Sequence, residues 1–193
     1  MKVAVIKYNA GNIQSVRIAL ERLDLTPIVT DDPDIILRSD KVIFPGVGEA
    51  SSAMEYLKER DLDQLIVNLK IPVLGICLGL QLMSRHSEEN DTDCLGIFDT
   101  SVRRFPPKDK VPHMGWNIIT HLKGTIFKNI PEKSYVYFVH SYYAEIKPSV
   151  IATTNYILDF ASAMEIDNFF AVQFHPEKSG PIGETILQNF LDL

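Results

Sequence analysis

Pro72-Val73-Leu74-Gly75-Ile76-Cys77-Leu78-Gly79-Leu80-Gln81 is the stretch on which the reading of this chain turns. Its apolar run, Pro72 to Ile76, reads as a buried strand, and a helix begins at once near Gly79. The cysteine stands at the junction. This is the sulfur counterpart of the Gly-x-Ser-x-Gly elbow, in which a nucleophile sits on a sharp, strained turn and the flanking glycines let strand and helix pass closely. A cysteine at a helix N-terminus also feels the positive end of the helix dipole, which favours thiolate. The amide of Leu78 would point toward an oxyanion formed at the sulfur's target carbon. The plain alternative is that Cys77 is a small buried residue; the glycines and the strand–helix junction favour a nucleophile.

Upstream of the elbow, strand and helix signals alternate. Lys2 to Ile6 reads as a buried strand, and Gly11-Asn12 opens a helix with Ile13, Val16, Ala19, Leu20 and Leu23 at helical spacing. Short strands follow at Pro27 to Val29 and Lys41 to Phe44. Ser51 is placed to cap a helix carrying Ala53, Met54 and Leu57 inward, and Asp61 starts another with Leu62, Leu65, Ile66 and Leu69. Repeated β-α order implies right-handed crossovers and a mainly parallel sheet covered on both faces.

Downstream the texture changes. Val102 to Phe105, Trp116 to Thr120, Tyr135 to Tyr143, Val150 to Thr154, Ala161 to Glu165 and Phe170 to Phe174 read as consecutive strands, and Ile182 to Leu191 as a closing helix. A run of strands suggests an antiparallel extension of the parallel core. The expected architecture is one α/β domain over 1–193, with three layers, α/β/α. Sites in such sheets lie beyond the carboxyl ends of the strands.

Composition narrows the class. The 193 residues are 46% hydrophobic and 23% charged, as in ordinary globular proteins, and a chain this long buries roughly 70% of its unfolded surface without disulfides. Nineteen basic against 25 acidic residues give a net charge of −6. This argues weakly against nucleic acid or an anionic membrane as partner, although mild acidity alone means little beyond solubility. No signal peptide and no apolar run approaching the ~20 residues of a membrane span is visible. With two cysteines, Cys77 and Cys94, a cytoplasmic protein with reduced thiols is expected. Cys94 lacks the glycine context and reads as core.

A thiol nucleophile needs a histidine to take its proton and return it to the leaving group. Of His86, His113, His121, His140 and His175, the last ends an apolar strand, Phe170 to Phe174, and is followed by Pro176 and Glu177. In an extended segment residues i and i+2 face the same way, roughly 7 Å apart. Glu177 can then reach back and orient the ring, as the acid of a triad does. Alone, His175-Pro176-Glu177 reads more readily as a polar strand exit than as catalytic machinery; beside the Cys77 elbow it becomes a base and its orienter. The other histidines lack metal-ligand spacing, so neither a metal nor another cofactor is expected.

Gly75 to Gln81 together with Gln173-Phe174-His175-Pro176-Glu177 resembles the two signatures of class I, triad-type glutamine amidotransferases. Three further segments, Phe44 to Gly48, Val111 to Asn117 and Tyr137 to Tyr142, make the chain similar to the glutaminase subunits of imidazole glycerol phosphate synthases. The resemblance runs from Gly11 to Ser179, and the Pro-His-Met-Gly-Trp-Asn segment selects this branch over glutaminases serving pyridoxal phosphate, anthranilate or purine synthesis.

The resemblance implies Cys77 as nucleophile, His175 as general acid-base and Glu177 as orienter. It implies that Gln81 contacts bound glutamine, that Glu89 holds its α-amino group, and that Ser141 and Tyr142 grip its head through backbone groups. For Glu89 a solvated acidic helix end is the alternative. Gly46-Val47-Gly48 would form an oxyanion strand completing a hole with the Leu78 amide, and its glycines permit a peptide flip on docking of a partner. That partner would be a (β/α)8-barrel cyclase, met through Asn12, Met114, Trp116, Asn117, Tyr137 and Lys178. On composition alone Trp116 reads as core; the resemblance moves it to the contact face. Lys7 and Asn9 replace an aspartate and a glycine found in many relatives. A γ-glutamyl peptidase without a partner and a non-catalytic regulatory module are the other readings of the same residues.

Overall fold

The computed structural model describes residues 1–9 and 11–193. In chain order the elements are β1 (Val3–Ile6), α1 (Ile13–Glu21), β2 (Ile28–Thr30), α2 (Pro33–Leu37), β3 (Lys41–Phe44), α3 (Ala50–Lys58), α4 (Leu62–Asn68), β4 (Val73–Ile76) and α5 (Leu78–Met83). Then follow β5 (Ser84–Ser87), β6 (Thr92–Asp93), β7 (Phe98–Arg104), β8 (His113–Ile118), β9 (Tyr135–His140), β10 (Tyr142–Ala144), β11 (Val150–Tyr156), β12 (Leu158–Ile166), β13 (Phe169–Val172) and α6 (Gly180–Leu191).

The main sheet runs β2-β1-β3-β4-β13-β12-β10-β7-β5-β6, with β11 paired to β12. From β2 to β13 all neighbours are parallel. Beyond β13 the pairing is antiparallel, apart from β5 beside β7. Every residue of β1, β3, β4 and β13 is buried, so these strands are covered on both faces. Side chains alternate between two cores, as the strand period requires. Val3 and Val5 pack with Val16 and Leu20 of α1 and Ile186 and Phe190 of α6. Ala4 and Ile6 pack with Ala53 and Leu57 of α3 and Leu62 and Ile66 of α4. This is the expected three-layer arrangement, mainly parallel with an antiparallel extension. No helix among the described residues is long and apolar enough to cross a membrane.

Several local expectations are corrected. Helix α3 begins at Ala50 with Glu49, not Ser51, at its N-cap, and no side chain of its own caps it. Helix α2 has no counterpart in the sequence pattern: five residues cannot show a helical period, and its stabilising features are the Asp32 carboxylate accepting from the amides of Asp34 and Ile35 and Pro33 in the first turn. Strands β5 and β6 also go unannounced, because Ser84-Arg85-His86-Ser87 carries no apolar alternation. Strand β7 starts at Phe98, β8 sits at His113–Ile118 instead of 116–120, and the stretch 135–143 is two strands interrupted at Ser141. Strands β8 and β9 form their own antiparallel ribbon, which puts His113 opposite His140 and Trp116 opposite Tyr137.

Candidate active site

Strand β4 ends at Ile76 and helix α5 begins at Leu78, leaving Cys77 as the single joint. Its backbone has φ 54 and ψ −102, a conformation that costs an L-residue energy and persists only when the surroundings enforce it. They do so here through hydrogen bonds from the Cys77 amide to Val172 O at 2.8 Å and from the Gln81 amide to Cys77 O at 3.3 Å. The glycines act as the sequence predicts. A Cβ on Gly79 would collide with the carbonyl oxygen of Phe44, and one on Gly75 would press on the Met83 sulfur and the Gly79 backbone.

The neighbouring parallel strand supplies the histidine. Val172 lies opposite Ile76, and the chain leaves β13 through Gln173 and Phe174 to His175, whose amide donates to Tyr137 O at 2.9 Å. His175 Nδ1 and Glu177 Oε1 are 2.7 Å apart, with both side chains fully buried. The contact forms by a route other than the expected extended one: Pro176 opens a short 3-10 turn, Pro176–Lys178, which folds Glu177 back to the ring. Nε2 of His175 is buried and makes no hydrogen bond, and the charge of Cys77 acts on the ring. Burial opposes the charged ring. The charge of Cys77, with the hydrogen bond and charge of Glu177, outweighs it and raises the imidazole to about 10.

Asn12 belongs to this cluster, which the sequence did not reveal. Its side-chain amide donates to Glu177 Oε1 and lies 3.3 Å from His175 Nδ1. The cause is its left-handed backbone, φ 74, at the start of α1. That turns inward a side chain expected on the partner face.

A cavity of about 250 Å³ opens beside the sulfur, lined by Val47, Gly48, Cys77, Leu78, Gln81, Glu89, Pro112, Val139, His140, Ser141 and Tyr142. All the expected glutamine-contacting residues except Gly46 line it. Gly46 lies against Tyr8, whose hydroxyl a Cβ on Gly46 would strike. The Gly46 carbonyl accepts the Leu78 amide at 3.2 Å, while the Val47 carbonyl accepts from the Gly11 amide at 3.0 Å. The Leu78 N–H is therefore engaged, and an oxyanion hole is not open in this structure. Glu89 is no solvated helix end. It lies in the turn between β5 and β6, half-buried, its carboxylate accepting the Ala50 amide at 2.8 Å at the uncapped start of α3; burial raises its carboxyl above the usual range.

Of the residues expected on a partner face, Met114 and Trp116 are 59% and 55% exposed, which removes the core reading of Trp116. Tyr137 packs edge-on against Trp116 with ring centroids 6.1 Å apart, and Lys178 is exposed. Asn117 points the other way, bonded to His113 Nε2 at 3.2 Å and Asn155 O at 3.0 Å. Lys7 is exposed, and Asn9, also exposed, donates to Ser52 O at 3.1 Å. Cys94 is a free, partly buried thiol, pushed up to about 12 by burial. Among the described residues no group of three or more His, Cys, Asp or Glu side chains gathers as a metal site.

Comparison with known proteins gives the family. Residues 5–193 match the family described as glutamine amidotransferase class-I. The chain is 58% identical to imidazole glycerol phosphate synthase subunit HisH of Bacteroides fragilis and 46% identical to that of Yersinia pseudotuberculosis, in each case over the full length of both chains. Among solved structures it superimposes on a glutamine amidotransferase with TM-score 0.79 at 16% identity, covering all of this chain and 98% of the other. It also superimposes on PurLQS of Thermotoga maritima with TM-score 0.70 at 17% identity, covering 99% and 97%; at such identities the likeness speaks for the fold. The chain belongs to the class I glutamine amidotransferases, in the branch of the HisH subunits of imidazole glycerol phosphate synthase.

Proposed function

We propose that the 193 residues act as one amidotransferase domain in which Cys77, His175 and Glu177 release ammonia from glutamine for a docked cyclase. The observation that carries this reading is the buried His175–Glu177 pair beside a strained cysteine at the mouth of a cavity. His175 takes the Cys77 proton, and the thiolate attacks the side-chain amide carbon of glutamine. The tetrahedral oxyanion draws on amide hydrogens of Leu78 and the Val47 peptide; one such donor is worth about 3 kcal/mol. His175 passes its Nε2 proton to the departing nitrogen as the C–N bond breaks, leaving a γ-glutamyl thioester and ammonia. The neutral ring then takes a proton from water, which attacks the thioester carbon, breaks the C–S bond and yields glutamate and the thiolate–imidazolium pair. Glu89 offers a carboxylate to the α-ammonium of the substrate, and Ser141 and Tyr142 offer backbone groups to its head.

The Leu78–Gly46 hydrogen bond supports a gated reading. A flip of the Gly46–Val47 peptide withdraws the carbonyl from Leu78 and presents the Val47 amide in its place, which glycines on either side of Val47 permit. Docking of the (β/α)8-barrel cyclase over Met114, Trp116, Tyr137 and Lys178 would favour that flip and exclude water, so that ammonia reaches its acceptor unprotonated. A cytoplasmic setting suits a thiol that must stay reduced. Cys77→Ala in the complex is expected to abolish glutamine-dependent synthesis and keep ammonia-dependent synthesis. Glutamine turnover by that variant would sink the assignment.

A further inference from the structure

Among the described residues, two groups lie within hydrogen-bonding reach of the Cys77 sulfur. The carbonyl oxygen of Val139 lies 3.8 Å away and the side-chain nitrogen of Gln173 3.6 Å away. The carbonyl can only accept, so it suits the protonated thiol and turns the negative end of its dipole on a thiolate. The amide nitrogen can only donate, so it suits the thiolate. Tyr8, also buried near the sulfur, spends its hydroxyl hydrogen on Pro45 O. Among the described residues, Gln173 is thus the side chain that donates a hydrogen to the sulfur.

The orientation of this amide is set by its neighbours. Tyr142 O accepts from His140 Nδ1 at 2.8 Å and from Gln81 Nε2 at 3.1 Å. The second Gln81 hydrogen goes to Gln173 Oε1 at 3.2 Å. With its oxygen held there, Gln173 must present Nε2 to the sulfur. Reversing it would face two NH2 groups against each other and put an oxygen on the thiolate, losing two hydrogen bonds at a site with no solvent exposure. Its backbone amide is tied to Ser162 O at 2.8 Å, which fixes the point from which the side chain starts.

We propose that Gln173 is a catalytic residue that donates Nε2–H to the Cys77 sulfur and holds it as thiolate between turnovers. The proposal rests on Cys77 being the nucleophile. It joins Gln81 and Gln173 in a single role, in which Gln81 fixes Gln173 while its own oxygen stays free for a donor on the substrate.

The test is the pH dependence of Cys77 alkylation by iodoacetamide in the full chain, with Cys77→Ala as background. Burial raises Cys94, and the Cys77→Ala background subtracts whatever it contributes. Tyr8 and His175 are the other titrating groups that face the sulfur and are present in every sample. Gln173→Met and Gln173→Glu are expected to move the alkylation midpoint up by about one unit or more and to lower kcat for glutamine hydrolysis about tenfold or more. In the wild-type chain the Gln173 side-chain 15N–1H resonances are expected to titrate with the same midpoint and to lose that titration in Cys77→Ala. An unchanged midpoint in folded variants overturns the proposal even if activity falls, since Gln173 is then structural. Should neither variant fold, static Gln173 resonances across the titration overturn it. Glutamine turnover by Cys77→Ala would instead overturn the nucleophile reading.

Discussion

His175 is pulled in opposite directions, by burial toward the neutral ring and by Cys77 and Glu177 toward the charged one, and the charged form prevails with a value of about 10. Because Cys77 is the main raising influence, Cys77→Ser should lower the His175 titration midpoint by a unit or more, read from the ring Cε1 proton by NMR. A folded-state value raised above 6.5 means that this pair stabilises the fold fully below that pH. The stabilisation is lost as pH climbs through about 10. His113 and His140 behave in the opposite sense. Burial lowers them to about 4 and about 3, and their bonds require neutral rings: Asn117 donates to His113 Nε2, His113 Nδ1 donates to His140 Nε2, and His140 Nδ1 donates to Tyr142 O. Their share of stability is present above 6.5 and drains away as pH falls toward the folded values. Urea unfolding should show a clear loss from pH 7 to pH 5; a flat profile would count against the neutral pair. Such pairings were illegible in sequence, since His113 and His140 meet only through the register of β8 on β9. Asn12 was illegible because one positive φ redirects its side chain.

The β4–Cys77–α5 joint was legible down to its glycines because its constraint is local: strand, nucleophile and helix are contiguous. Gly79→Ala should therefore destabilise by about 3 kcal/mol, seen as a lower thermal midpoint, because the added carbon meets the fixed Phe44 backbone of β3 and not a movable side chain. A variant as stable as wild type would show that the strand and helix can separate. The parallel half was also legible, each buried strand being a continuous apolar run between helical periods. The antiparallel half was legible only in outline. Strand β5 is polar, β6 is two residues long, and the break at Ser141 falls inside a run that alternates smoothly on paper. Nor does composition reveal that α3 takes its N-terminal carboxylate from Glu89, which arrives from the turn between β5 and β6.

Taken as a molecule, the chain sets its reactive groups at the carboxyl ends of β4 and β13, near an aromatic ribbon whose outer side stays bare. Met114 and Trp116 alternate outward on β8 while His113 turns into the core, so one strand serves both an exposed surface and the neighbourhood of the cavity. If a cyclase covers that surface, the emission of Trp116, the only tryptophan, should shift to the blue on mixing, and glutamate production should rise in the same titration. Equal turnover with and without the partner would remove the gate. That Cys77, His175 and Glu177 gather at one place was readable from motifs, whereas the backbone beside them was not, because the direction in which the Gly46 carbonyl points is a property of the folded chain.

That carbonyl has a physiological corollary. If the gate proposed above holds, a subunit whose Leu78 amide is occupied in this way is a quiet reserve until a partner docks. On that proposal it would accumulate without draining the glutamine pool or shedding free ammonium, and its supply need not match the partner's molecule for molecule.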